Sequence, residues 1–208
     1  MLRPKNAIDR YNYLERVVHW LLAIFFFTAA LSGLAFFHPS MFWLTNFFGG
    51  GPWTRILHPF MGIGMFVFFA WLGLKVMGHN TIDKTDVEWL KHAHEVMAGD
   101  ESAAPPAGKY NAGQKVLFWL LTLCMLGLLV TGFCFWRPLA DGLPVTLIRW
   151  ASLLHAVCAT GLILLVIGHA YMAFWTKQSI RAMVQGWVTP AWAKSNHPAW
   201  HDEVMRKN

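Results

Sequence analysis

The chain has 208 residues, of which 56% are hydrophobic and 13% charged, with 12 Trp and 16 Phe among them. Such a composition cannot hide its apolar surface from water by folding alone; it excludes an ordinary soluble domain and points to a bilayer as the solvent. The formal charge of +6 would suggest nucleic acid in a soluble protein, but here the basic residues flank apolar runs, so no nucleic-acid partner is expected.

Four runs reach the roughly 20 residues a crossing needs: 17–37, 56–77, 116–136 and 147–175. The first is too long for the core of a cleaved signal peptide and contains His19, so it reads as a retained span. Pro39, Pro52, Pro138 and Pro144 lie in the two short connections and break helices there. Between the second and third spans, residues 78–114 are hydrophilic. Within them "TDVEWLKHAHEVM" reads as a short interfacial helix opened by a Thr85–Glu88 capping box, followed by an irregular connection. The Trp-rich tail, 177–208, is expected along the membrane surface or against a partner. No internal repeat or low-complexity tract is evident. The fold class is therefore an all-α membrane protein, a bundle of four transmembrane helices in one domain spanning 1–208.

Basic residues orient it. With the N-terminus inside, 14 of the 17 Lys and Arg fall on the inner side and only Arg55, Arg137 and Arg149 on the outer. That asymmetry places both termini and the long loop in the cytoplasm of a bacterial inner membrane. The three cysteines, Cys124, Cys134 and Cys158, form no CxxC or CxxCH, so covalent haem attachment and an iron–sulfur cluster have no ligands; they read as buried small apolar groups.

Ten histidines remain. His38, His79, His92, His94, His197 and His201 lie outside the spans or at their edges and read as solvated or interfacial. His19, His58, His155 and His169 lie within the spans. Given the orientation, depth pairs His19 with His169 on the inner side and His58 with His155 on the outer. Fourteen residues along the fourth helix rise about 21 Å and return to within about 40° of the starting face, so His155 and His169 look the same way. Neutral imidazole is a good axial ligand for iron, and two stacked pairs suit two bis-histidine haems b. A lone imidazole is equally served by hydrogen bonding to a neighbouring helix. Histidines also suit a haem-free metal or proton transporter, but these spans carry no Asp or Glu to join them. Small residues, Ser32, Gly33, Gly62, Gly64, Gly127 and Gly132, offer the clearance a porphyrin needs or simply close helix packing. Arg55 and Arg137 are candidates for haem propionates or for snorkelling to the interface.

The segments "ERVVHW", "RILHPFMGIGMF", "GKYNAGQK", "GFCFWRP", "GHAYMAFWTK" and "GWVTPAWAKSNHPAW" resemble the cytochrome b, or gamma, subunit of membrane-bound formate dehydrogenase, in order and over nearly the whole chain. The resemblance implies the same ligand pairs as the depth argument. It also implies a site for menaquinone or ubiquinone beside the inner haem, where Asn111, Ala112, Gly113 and Gln114 approach His169. It implies an iron–sulfur (beta) partner, a molybdenum or tungsten (alpha) subunit beyond it, and a trimer of three-chain units. The chain would be the quinone-reducing subunit of an oxidoreductase, with formate oxidised on another subunit and no catalytic side chain for that step here. An anchor for a hydrogenase or another respiratory oxidoreductase would use the same wire.

Overall fold

The computed structural model describes residues 3–100 and 103–207. In chain order the elements are β1 (Ile8–Asp9), α1 (Tyr13–Phe37), a 3-10 helix (Pro39–Phe48), α2 (Gly51–Val76), a 3-10 turn (Met77–His79), α3 (Lys84–Lys91), α4 (Ala93–Met97) and α5 (Ala112–Phe135). They are followed by α6 (Arg137–Ala140), α7 (Val145–Trp175), α8 (Ser179–Gln185), β2 (Trp187–Val188), α9 (Pro190–Asn196) and α10 (Pro198–Lys207). Four of these helices, those containing the four apolar runs, are long and apolar enough to cross a membrane.

Capping, more than lipid, decides where these helices start. α1 begins four residues before its apolar run because Asn12 and Glu15 cap it reciprocally: Glu15 N–H donates to Asn12 Oδ1 at 2.8 Å and Asn12 N–H to Glu15 Oε2 at 2.9 Å. Asn111 and Gln114 do the same for α5, at 2.9 and 3.1 Å. The loop helix is a correction to the sequence reading. Its capping box is Asp83 with Asp86, not Thr85 with Glu88: Asp83 Oδ1 accepts from Asp86 N–H at 3.0 Å, and Asp86 Oδ2 accepts from Asp83 N–H at 2.9 Å. Asp is the stronger N-cap, and Asp83 has the extended backbone the position requires.

The chain divides into two compact units. One comprises Val17–Gly73 and Leu120–Gly168 and is a four-helix bundle. Its centre is Phe26, Ala29, Met65, Met125 and Leu162, drawn from α1, α2, α5 and α7. From Ala29 onward the buried positions of α1 are small, Ala29, Ser32 and Ala35, while Ile24, Phe27 and Leu31 are exposed, as lipid-facing residues are. α5 and α7 approach closely through interlocked small residues. A Cβ at Gly127 would lie 2.6 Å from Cys158 Sγ, and one at Gly161 would lie 3.5 Å from Cys124 Sγ. Cys124 and Cys158 thus act as packing groups between the two helices; all three cysteines are only partly buried.

The other unit comprises Met1–Arg16, Leu74–Trp119 and His169–Asn208. Here part of the tail packs against the chain's own N-terminal segment. β2 pairs antiparallel with β1, setting Ile8 opposite Val188, and Trp187, Trp192 and Trp200 are buried within the chain's own core. Gly186, just before β2, has φ +89°, and a Cβ there would lie 2.8 Å from the Tyr11 carbonyl oxygen, so only glycine fits. α3 docks on the start of α5 through Lys115 Nζ, 2.7 Å from Asp86 Oδ2, with both side chains nearly buried. Asp86→Asn keeps an oxygen for the Asp83 N–H and removes only the charge. It should loosen α3 by about 2 kcal/mol, between the values for exposed and buried ion pairs, read as faster amide exchange over residues 84–91.

Candidate functional site

Within the four-helix unit the structure brings two span histidines together. His58 stands on α2 and His155 on α7, and their ring centroids lie 6.3 Å apart with the planes inclined at 67°. An imidazole nitrogen sits about 2 Å from a bound metal and the ring centre about 1.2 Å behind it, so two rings on opposite sides of one ion have centres roughly 6.4 Å apart. The observed spacing fits a single iron held between them.

Each ring is anchored at its other nitrogen. His58 Nδ1 lies 2.9 Å from Ser32 Oγ of α1, and His155 Nδ1 lies 2.9 Å from Thr131 Oγ1 of α5. Nε2 of each is the nitrogen left for a metal. A glycine follows each hydroxyl. A Cβ at Gly33 would lie 3.1 Å from His58 Cε1, and one at Gly132 would lie 3.6 Å from His155 Cε1, so each glycine makes room for a ring edge. The described residues contain no group of three or more His, Cys, Asp or Glu able to hold a metal ion. Two opposed imidazoles are the donor set of an iron whose other four ligands come from a porphyrin; a bare ion would want more from the protein.

The other sequence candidates are placed as follows. His19 is half-buried on α1, edge-on to Trp20 at 5.4 Å. His169 is exposed near the end of α7, beside Gly168, where an added Cβ would meet open space. They belong to different compact units, and their pairing rests on depth along the spans. Asn111 and Gln114 cap α5 as described, which leaves the Asn111 side-chain NH₂ outside the cap. Gly113 lies against Trp89 of α3, 3.7 Å from a Cβ position. Arg55 is exposed one turn before His58, its guanidinium 6.0 Å from the Phe36 ring centre. The Arg137 side chain lies outside the described residues.

His197 corrects the sequence reading, which treats it as solvated. It is 2% exposed. Its Nδ1 lies 2.8 Å from the Gly108 carbonyl and its Nε2 3.1 Å from Arg10 Nη2. Arg10 is itself buried, with its guanidinium carbon 5.0 Å from the ring centres of both Trp192 and Trp200. Burial, and then the Arg10 charge, pushes the His197 pKa down to about 3. Sequence alone hid this cluster because its members are 187 residues apart. It also missed Thr131. The available signal was a hydroxyl–glycine pair, "SG" at 32–33 and "TG" at 131–132, recurring 26 and 24 residues before a span histidine.

The profile of the family described as prokaryotic cytochrome b561 matches residues 10–186. The nitrate-inducible formate dehydrogenase cytochrome b556(Fdn) subunit of Escherichia coli K12 is 43% identical over 206 residues, covering 99% of this chain and 95% of that one. The formate dehydrogenase cytochrome b556 subunit of Haemophilus influenzae is 45% identical over 204 residues, covering 97% and 86%. The cytochrome b556(fdo) subunit of the E. coli K12 formate dehydrogenase is 40% identical over 206 residues, covering 99% and 97%.

Proposed function

Because the chain belongs to the prokaryotic cytochrome b561 family and matches formate dehydrogenase cytochrome b556 subunits along nearly its whole length, we propose that it is the quinone-reducing anchor of a respiratory formate dehydrogenase in the bacterial inner membrane. It receives electrons from an iron–sulfur subunit on the outer side, itself fed by a molybdenum or tungsten subunit where formate is oxidised. It delivers them to menaquinone or ubiquinone, which takes its protons from the cytoplasm. The working assembly in this reading is a trimer of three-chain units.

Bound haem b supplies reversible one-electron exchange at its iron. The chain's residues hold and orient it. His58 and His155 would hold the iron of an outer haem, and His19 and His169 that of an inner one. Arg55 and Arg137 offer charge to propionates. Asn111, Gly113 and Gln114 form the quinone side of the inner site: the Asn111 NH₂ donates to a quinone oxygen, and Gly113 lets the head group approach the backbone. The observation that carries the reading is the 6.3 Å His58–His155 pair, each ring braced at Nδ1 by a hydroxyl of a neighbouring helix.

The test is a dithionite-reduced minus oxidised visible spectrum of the purified chain, with a pyridine haemochrome count. Two low-spin b haems per chain are expected; well-folded protein without haem overturns the reading. Co-purification with a molybdopterin subunit identifies the donor as a formate dehydrogenase; co-purification with a hydrogenase subunit contradicts it. Asn111→Asp keeps the oxygen that caps Gln114 and loses the NH₂ donor. It should slow quinone reduction about tenfold, the worth of one hydrogen bond near 1.4 kcal/mol, with the haem count intact. A stopped-flow rate equal to that of the unaltered protein would remove Asn111 from the site.

A further inference from the structure

The two outer-pair histidines are held by matching devices on different helices. Ser32 with Gly33 faces His58, and Thr131 with Gly132 faces His155. Each hydroxyl has one proton to give. Thr131 Oγ1 lies 2.6 Å from the Gly127 carbonyl oxygen, a separation two oxygens tolerate only with a hydrogen between them. Ser32 Oγ lies 3.0 Å from the Ala29 carbonyl oxygen. With those protons donated to helix carbonyls, each hydroxyl meets the imidazole as an acceptor. Nδ1 of each ring must then carry the hydrogen, and Nε2 presents its lone pair. The opposite assignment would leave a carbonyl and a hydroxyl oxygen face to face at 2.6 Å with no proton between them.

We infer that Ser32 and Thr131 are positioning residues that lock His58 and His155 in the Nδ1–H tautomer and lower the reduction potential of the iron between them. An acceptor on Nδ1–H gives the ring partial imidazolate character, makes Nε2 a stronger donor and favours the ferric state. The glycines are part of the device. A Cβ at 33 would press on His58 Cε1 at 3.1 Å, while one at 132 would sit in ordinary contact with His155 Cε1 at 3.6 Å. Because the device is doubled, both axial bonds are strengthened, and the two hydroxyls should act in the same direction.

The inference rests on the reading of His58 and His155 as ligands of one haem, and the experiment separates the two. In the purified complex, Thr131→Val keeps the side-chain volume and deletes the acceptor, while Thr131→Ser retains it. Redox titration of Thr131→Val should show two haems per chain, with one midpoint potential shifted upward. At a fixed potential the ferrous-to-ferric ratio of that haem should be roughly two- to tenfold higher, one hydrogen bond's worth. Thr131→Ser should restore the original value, Ser32→Ala should shift the same haem upward, and the ferric low-spin resonance should move with it. Two haems with unmoved potentials in Thr131→Val overturn the inference and leave the haem assignment standing. A haem-free parent protein overturns the assignment itself. If Thr131→Val sheds its haem, Ser32→Ala decides: an unmoved potential there overturns the inference.

Discussion

Replacing His155 with alanine should reduce the haem content from two to one per chain while the protein still inserts and folds. Insertion is set by the apolar length of α7, 31 residues, and alanine is a better helix former than histidine. What is lost is one of two opposed donors. His58 alone cannot hold a six-coordinate iron, and the space between the rings opens on one side. Thr131 loses its imidazole partner but keeps the Gly127 carbonyl, so the fold suffers little beyond a cavity. The pyridine haemochrome count is the readout, and the pattern across variants is more telling than any single value. His58→Ala should give the same single remaining haem. The double variant of His58 and His155 should lose nothing further, because both replacements empty one site. Combining His155→Ala with His169→Ala should leave none. Two haems retained in His155→Ala, or a different haem lost from His58→Ala, breaks the pairing. Quinone reduction by the donor subunits should fall by orders of magnitude in each single variant, since an electron cannot pass a missing carrier in series.

Spans and caps differ in how readily they can be read from the chain. The apolar runs are visible because lipid demands length and hydrophobicity, and these are local properties. The helix starts at Tyr13 and Ala112 lie outside the apolar runs. They depend on Asn–Glu and Asn–Gln pairs that a hydropathy window ignores, although a search for capping boxes would find them. In the loop, "DKTDVE" offers both Asp83 and Thr85 as caps, two residues apart, and only the fold chooses. Histidine depth is legible from topology. The groups behind each ring are not, because a serine or threonine in a membrane helix more often bonds its own preceding carbonyl, as Ser32 and Thr131 also do. Only the meeting of α1 with α2, and of α5 with α7, turns those hydroxyls toward imidazoles. The Arg10–His197 contact could not be foreseen at all: it joins the two ends of the chain through a two-residue strand pair.

That contact makes the unit containing both ends sensitive to acid. His197 is neutral in the fold, with its pKa near 3, while an unfolded histidine titrates near 6.5. Above about pH 6.5 neither state binds the proton, and the cluster contributes its full stability. Below it the unfolded state takes up a proton that the folded state refuses, because the ring is enclosed by Trp192 and Trp200 and its Nε2 already accepts from the Arg10 guanidinium. Stability should therefore fall by roughly 1.4 kcal/mol for each pH unit between 6.5 and 3, or about 2 kcal/mol on going from pH 7 to pH 5. Amide exchange across α9 and α10, measured at fixed temperature over that range, should show opening that becomes roughly thirtyfold more frequent, the equivalent of 2 kcal/mol. Other groups titrate in the same window, so the decisive comparison is with His197→Gln. Glutamine keeps one acceptor for Arg10 and one donor for the Gly108 carbonyl but binds no proton, so the excess acid sensitivity should disappear. Glu203 is held low by its hydrogen bond and ion pair with Lys207, so what it contributes is lost as the pH falls through about 4.3, the unfolded value, below the pH 7 to pH 5 comparison. Equal pH slopes in the parent and in His197→Gln would mean that His197 takes up its proton inside the fold as readily as outside it, and that the aromatic cage does not keep it neutral.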